Sequence, residues 1–259
     1  MKYRIRTAAV ALILSVPAFA FERYDGNAYA LDSDRLLYRE SHYLADGVMG
    51  RERIVLYRCA DGRPFARKRV VDGDDPQMPD FDLEDARVGY REGVRRGDGQ
   101  REAYVRFGAL GSEQSAVLEL PRDGVIDAGF DAYVQKHWSE LSAGVTQRFE
   151  FLVPSKRTFY AFDLRAAVDT ENPHTLRLRL SLGNWWGFLL PHIDVVYDRA
   201  SRRLLSFAGL TNIRGSSFES LRARIVFSGS PTAVSRDDYE AARAQPLTHS
   251  CEMSGMATQ

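Results

Sequence analysis

The sequence is short of the residues that carry most sulfur and metal chemistry. It has two cysteines, Cys59 and Cys251, separated by most of the chain, so there is no Cys-x-x-Cys pair to clasp zinc or exchange thiols. Its five histidines, His42, His137, His174, His192 and His249, are scattered with no His-Glu-x-x-His or other short spacing. A Gly-x-Ser-x-Gly elbow and a Ser-x-x-Lys pair are both missing, which removes the local signatures of a nucleophilic enzyme. The glycines of GVRRGDGQ and GALGSE fit turns and match neither a dinucleotide fingerprint nor a P-loop. An excess of one charge is missing as well: 35 Lys and Arg balance 35 Asp and Glu, and the arginines are interleaved with acids along the chain. That balance gives no reason to expect nucleic acid as a partner. No metal and no cofactor is expected.

What is present starts with a leader. Residues 1–20, MKYRIRTAAVALILSVPAFA, set Lys2, Arg4 and Arg6 before an apolar run and close on Ala18-Phe19-Ala20. This is the layout of a secretory signal peptide, with a run too short to span a bilayer as a stable helix. Export to the periplasm with cleavage after Ala20 follows as the expectation. No second long apolar run occurs, so residues 21–259 are expected as a single β-rich domain without a transmembrane segment. An oxidising compartment permits a Cys59–Cys251 disulfide, although sequence alone supplies no geometry to decide it.

Alternation dominates the rest. Leu176, Leu178, Leu180 and Leu182 take every second place, as do Leu221, Ala223, Ile225 and Phe227, the pattern of strands buried on one face. Turn residues punctuate the strands at Asp61-Gly62, Gly97-Asp98-Gly99, Asp198–Ser201 and LDSD. The pattern predicts an all-β fold, an antiparallel meander of about ten strands forming an incompletely closed barrel with one or two accessory helices. One helix is expected from an Asp127 cap through AGFDAYVQKHWSEL, with Phe130, Val134, Trp138 and Leu141 on one stripe. A second is expected over Arg236–Ala244, with Ser235 and Asp238 as a capping box. The acidic stretch 72–86 reads as a solvated loop and a seam; its order of acids and glycine does not fit an EF-hand. Glu40 and His42, two apart on a strand, read as part of a polar face.

The segments YDGNAYA, RLLYRESHYL, DAGFDAYVQKHW, FLVPSK and LLSFAGLTNI resemble a group of uncharacterised exported proteins of Gram-negative bacteria. A leader, a long meander and a last hairpin, LLSFAGLTNIRGSSFESLRARIVFS, are similar in architecture to the periplasmic lipoprotein carriers, open β-barrels lidded by helices. That resemblance implies a concave apolar face for an acyl chain. On it, Trp185, Trp186, Phe188 and Leu189 form a rim, with Trp138 and Phe130 beneath as further ligand-binding candidates. The alternative is that one tryptophan fills the core and the other packs beneath the helix at 127–143. The functional expectation is a non-enzymatic periplasmic envelope protein binding an apolar ligand such as a lipid or lipoprotein acyl chain. The alternatives are a hydrolase acting on an envelope component and an interaction protein with no ligand.

Overall fold

The computed structural model describes residues 21–251 apart from 48–49, 98, 168–171 and 184–191. One run of neighbouring strands comprises β1 (Phe21–Tyr29), β2 (Leu36–Gly47), β3 (Gly50–Arg58), β4 (Pro64–Val71), β5 (Asp80–Asp85), β6 (Tyr90–Gly97), β7 (Gln100–Arg106) and β8 (Gln114–Val117). The other comprises β9 (Gly124–Val125), β10 (Gln147–Val153), β11 (Thr158–Ala166), β12 (Thr175–Leu182), β13 (Ile193–Asp198), β14 (Leu204–Arg214) and β15 (Ser220–Ala233). β1 pairs with β15, so the two runs join into one 15-stranded sheet whose free edges are β8 and β9. The ladders are antiparallel, with β9 on β10 the parallel exception among the described residues.

The sheet curls strongly. Arg214 on β14 reaches Tyr90 and Glu92 on β6, and the 3-10 turn Pro154–Lys156 after β10 packs against β6 and β7. The result is the incompletely closed barrel that the alternation predicts, with more strands than the ten expected. β8 and β9 are too short to show a period, and β5, DFDLED, hides its alternating Phe81 and Leu83 among acids. Residues 80–85 of the acidic stretch are thus a strand paired to β4 and β6 rather than loop.

The helices also depart from expectation. The long helix is two short ones, α1 (Gly129–Lys136) and α2 (Trp138–Ser142), broken at His137. Asp127 does not cap α1. It sits two residues before the helix at φ 44°, with its carboxylate turned to Lys68 and Asn212. The chain reaches α1 by squeezing past the β4–β5 loop, where the Ile126 N–H donates to the Gln77 carbonyl. Only glycine fits at 129, because a Cβ there would meet that carbonyl oxygen at 2.0 Å. α3 (Arg236–Ala244) has the expected Ser235–Asp238 capping box and covers the outer face of β2 and β3, burying Tyr239 and Ala242 against Ile54 and Leu56.

Two larger clusters fill the inner face. Around β1–β7 and β15 lie Tyr38, Val55, Tyr57, Phe65, Leu83 and Ile225. Around β10–β13, with α1 and α2 against them, lie Val134, Trp138, Leu141, Phe149, Leu164 and the leucines 176, 178 and 180. Cys59 and Cys251 are joined by a disulfide, with their Cα atoms 5.4 Å apart. It ties the end of the described chain to the β3–β4 turn across 192 residues.

Candidate functional site

Strand alternation puts Tyr24 of β1, His42 and Glu40 of β2, and Arg53 and Tyr57 of β3 on the inner face of the barrel. The Glu40 and His42 pair expected on a solvated face is therefore buried. The His42 ring stacks on Tyr24 with centroids 4.5 Å apart and planes 10° from parallel, and Phe227 of β15 meets both rings edge-on. Phe227 lies this close because Gly26 stands beneath it; a Cβ at 26 would come within 2.7 Å of the ring. His42 Nε2 donates to the Glu40 carboxylate at 2.9 Å, which leaves Nδ1 a buried acceptor without a partner among the described residues. Burial lowers the His42 imidazole below its ordinary value, against the pull of Glu40.

Deeper in the barrel the charges are paired. Lys68 Nζ on β4 lies 3.1 Å and 2.9 Å from the two carboxylate oxygens of Asp127. Asn212 on β14 donates to the same carboxylate at 2.8 Å. Beside them Arg214 donates to the Tyr90 hydroxyl at 3.0 Å, and Tyr90 donates to Glu92 at 2.5 Å. Burial raises the Glu92 carboxyl above its ordinary value, against the nearby Arg214. The arginines expected to line solvated faces are thus partly interior, and the crossing segment before α1 supplies the carboxylate that Lys68 needs.

Above the Tyr24–His42 stack the barrel opens into a hollow of about 220 Å³. Its apolar wall is Tyr24, Leu44, Leu204, Phe227 and Pro231; its charged lining is Arg51, Arg53, Arg202 and Arg203 with Glu22 and Asp131. Asp131, on α1, accepts a hydrogen bond from Tyr197 at 3.2 Å. Arg202 stands on the β13–β14 turn at φ 56° with its guanidinium 5.4 Å above the Trp138 ring, and its carbonyl accepts from Gln135 on α1. Arg203 donates to Gly229 and Ser230. Among the described residues, Arg53, Arg202 and Arg203 form no ion pair, and Arg53 Nε is buried without a hydrogen-bond partner.

The ligand-binding candidates read from sequence fall in three places. Trp138 is buried edge-on to Tyr197 and supports the hollow from behind, through Arg202. Phe130 packs on Phe149 and Phe151, away from the hollow, while its neighbour Asp131 lines it. Trp185, Trp186, Phe188 and Leu189 lie outside the described residues. Tyr24 and Arg53 carry no mark in the sequence that singles them out, and Phe227 is marked only as one of the buried positions of its strand. The usable signal is register: Tyr24 faces His42 across β1–β2, so a buried His42 makes Tyr24 interior as well. Among the described residues no group of three His, Cys, Asp or Glu side chains is arranged to hold a metal ion. No described helix is long and apolar enough to cross a membrane.

No family model and no curated protein matches this chain. Among solved structures it is similar to a beta-barrel-like protein of domain of unknown function DUF1849 from Brucella abortus. That alignment has 10% identity and a TM-score of 0.46, and covers 84% of this chain and 98% of the other.

Proposed function

We propose that the chain is a non-enzymatic envelope protein, exported to the periplasm, that binds the end of an apolar ligand such as a lipid or lipoprotein acyl chain in the mouth of its barrel. The observation that carries this reading is the hollow over Tyr24, Leu204 and Phe227, a concave apolar wall left open at the end of a packed interior. At about 220 Å³ it is smaller than the roughly 300–1,000 Å³ of sites that enclose a drug-sized molecule, so it suits one end of a chain rather than a whole lipid. Export is supported by the leader at residues 1–20 and by a disulfide of the kind that persists in oxidising compartments. A hydrolase of the Ser-His or Cys-His type would need a nucleophile hydrogen-bonded to its base, and His42 Nδ1 has no such neighbour among the described residues.

The test is native mass spectrometry on protein taken from a periplasmic extract, beside a Leu204→Trp variant that fills the hollow. Lipid retained by the wild type and lost from the folded variant is the expected result. A wild type that carries no lipid and takes up none when offered would leave an interaction protein without a ligand.

A further inference from the structure

We propose that the mouth hollow selects amphiphiles by an anionic head group, a carboxylate or a phosphate, held by Arg53 and Arg202 beside the Tyr24 hydroxyl. The inference rests on the ligand-binding reading above and names the class of ligand. Its first support is a contrast among cations on the same inner face. Lys68 and Arg214 each have a carboxylate, Asp127 and Glu92. Arg53, on the neighbouring strand to Lys68, has none within ion-pair distance among the described residues; its Nε, like that of Arg214, is shut away from water without an acceptor, but Arg214 has Glu92 beside it. A buried charged donor left unpaired is costly, and an anion in the hollow removes that cost.

The second support is the company Arg53 keeps. Four arginines line the hollow against two carboxylates, so its lining is cationic in a chain whose charges otherwise balance. Asp131 is engaged by Tyr197, and Arg51 by Asp46. Arg202 stands over the Trp138 ring at 5.4 Å, and a guanidinium presents paired N–H groups that match a carboxylate or phosphate. The Arg53 guanidinium is raised above its ordinary value, with Tyr24 and the carboxylates of Asp131, Asp72 and Asp127 acting against burial, so it is a cation where the head group would sit. Tyr24, Leu204, Phe227 and Pro231 then offer the first carbons of the chain an apolar wall, an arrangement that a bare inorganic anion leaves unused.

Calorimetric titration of delipidated protein, below micelle-forming concentrations, tests this with dodecanoate, dodecyl phosphate, neutral monododecanoylglycerol and inorganic phosphate. At least one anionic amphiphile should bind about tenfold or more tighter than the neutral one, the size of one or two charge-assisted hydrogen bonds. Arg53→Gln should abolish that preference without lowering the melting temperature, and Arg202→Gln should reduce it. Dodecanoate in the lead identifies a fatty-acid source and dodecyl phosphate a phosphorylated lipid. Equal affinity for the neutral amphiphile, or a preference that survives in both variants, overturns the head-group inference and leaves an apolar site. Phosphate alone binding as tightly as dodecyl phosphate also overturns it. Binding of none of the amphiphiles overturns this inference together with the ligand reading beneath it. Should Arg53→Gln not fold, the wild-type probe ranking and Arg202→Gln still decide.

Discussion

Between β1 and β7 the inner face of the sheet buries Glu40, His42, Lys68 and Glu92, whereas between β10 and β13 it buries phenylalanine, leucine, valine and, through α2, Trp138. The two regions belong to one continuous sheet and each has an apolar cluster, but the first also carries charges whose burial obeys different physics. In the second, every buried apolar group gains on its own account, in rough proportion to the area it loses to water. In the first, an ammonium and a carboxylate have left water together, and the arrangement is favourable only while both remain and the remaining polar atoms are satisfied. The polar region is also the one that opens into the hollow. Charges fixed by partners beneath it leave Arg53 at the mouth, a guanidinium without an ion-pair partner among the described residues.

The most severe way to break this contrast is to remove one member of the interior pair. Asp127→Ala strands the Lys68 ammonium, whose side chain is 12% exposed, and takes the acceptor from Asn212; a loss of about 3–5 kcal/mol is expected in urea unfolding. The double variant Lys68→Met with Asp127→Leu should recover most of it, because the cost lies in the orphaned charge and not in the missing bond. A double variant as unstable as the single one would show that the segment around 127 needs the carboxylate for its path. Across the sheet, Leu178→Ala should cost about 2–5 kcal/mol through lost transfer energy and a cavity beside Val195, and no partner substitution by a charged residue should restore it.

The same division governs how much of the molecule is legible in its residues. Leu176 to Leu182 and Leu221 to Phe227 announce strands because apolar burial leaves a period of two, and the Ser235–Asp238 box announces α3 because capping is local. The strands of the polar region are also legible as strands, but their inward residues look like solvated ones, since Glu40, Arg53 and Lys68 carry no mark of being inside. For Lys68 and Glu92 the partner lies far along the chain, Asp127 and Arg214, and pairing of that range leaves no local pattern. Asp127 itself resembles a helix cap for the same reason: the residue type is right for a cap, and only the long-range contact with Lys68 shows its use. The candidate site follows suit. The aromatic candidates Trp138 and Phe130 belong to the packed core and the others lie outside the described residues, while the hollow is built from one or two residues on each of several strands, a helix and a turn.

Acid should distinguish the regions more gently. His42 is buried as the neutral imidazole, with its value lowered by desolvation against the influence of Glu40. The unfolded chain takes up that proton near the ordinary value of about 6.5 while the folded chain refuses it, so stability falls as the pH drops through about 6.5 toward the folded value and levels off below it. His42→Gln, which keeps a donor for Glu40, should flatten the dependence of the unfolding midpoint between about pH 7 and pH 5. An unchanged slope in that variant would assign the acid sensitivity to other groups.

The finest comparison sets an ion pair outside the sheet against the one inside. Arg179 and Asp194 face each other across β12 and β13 on the solvent side, with Nε 2.7 Å from one carboxylate oxygen and Nη2 2.9 Å from the other. Their geometry is at least as good as that of Lys68 and Asp127, but the side chains are 35% and 19% exposed against 12% and 5%. Burial raises Asp194, and the Arg179 hydrogen bond and charge outweigh it to leave the carboxyl below its ordinary value. The pair therefore stabilises the fold above the unfolded carboxylate range and stops doing so as the pH falls through the folded value. Water already satisfies both groups when they are apart, so Arg179→Ala should cost only about 0.2–1 kcal/mol at neutral pH, and less in high salt. Chemical denaturation at low and high ionic strength measures this directly. A loss approaching that of Asp127→Ala would mean that the outer face is less wet than its exposure implies, and that position inside or outside the barrel is not what sets the worth of a charge in this protein.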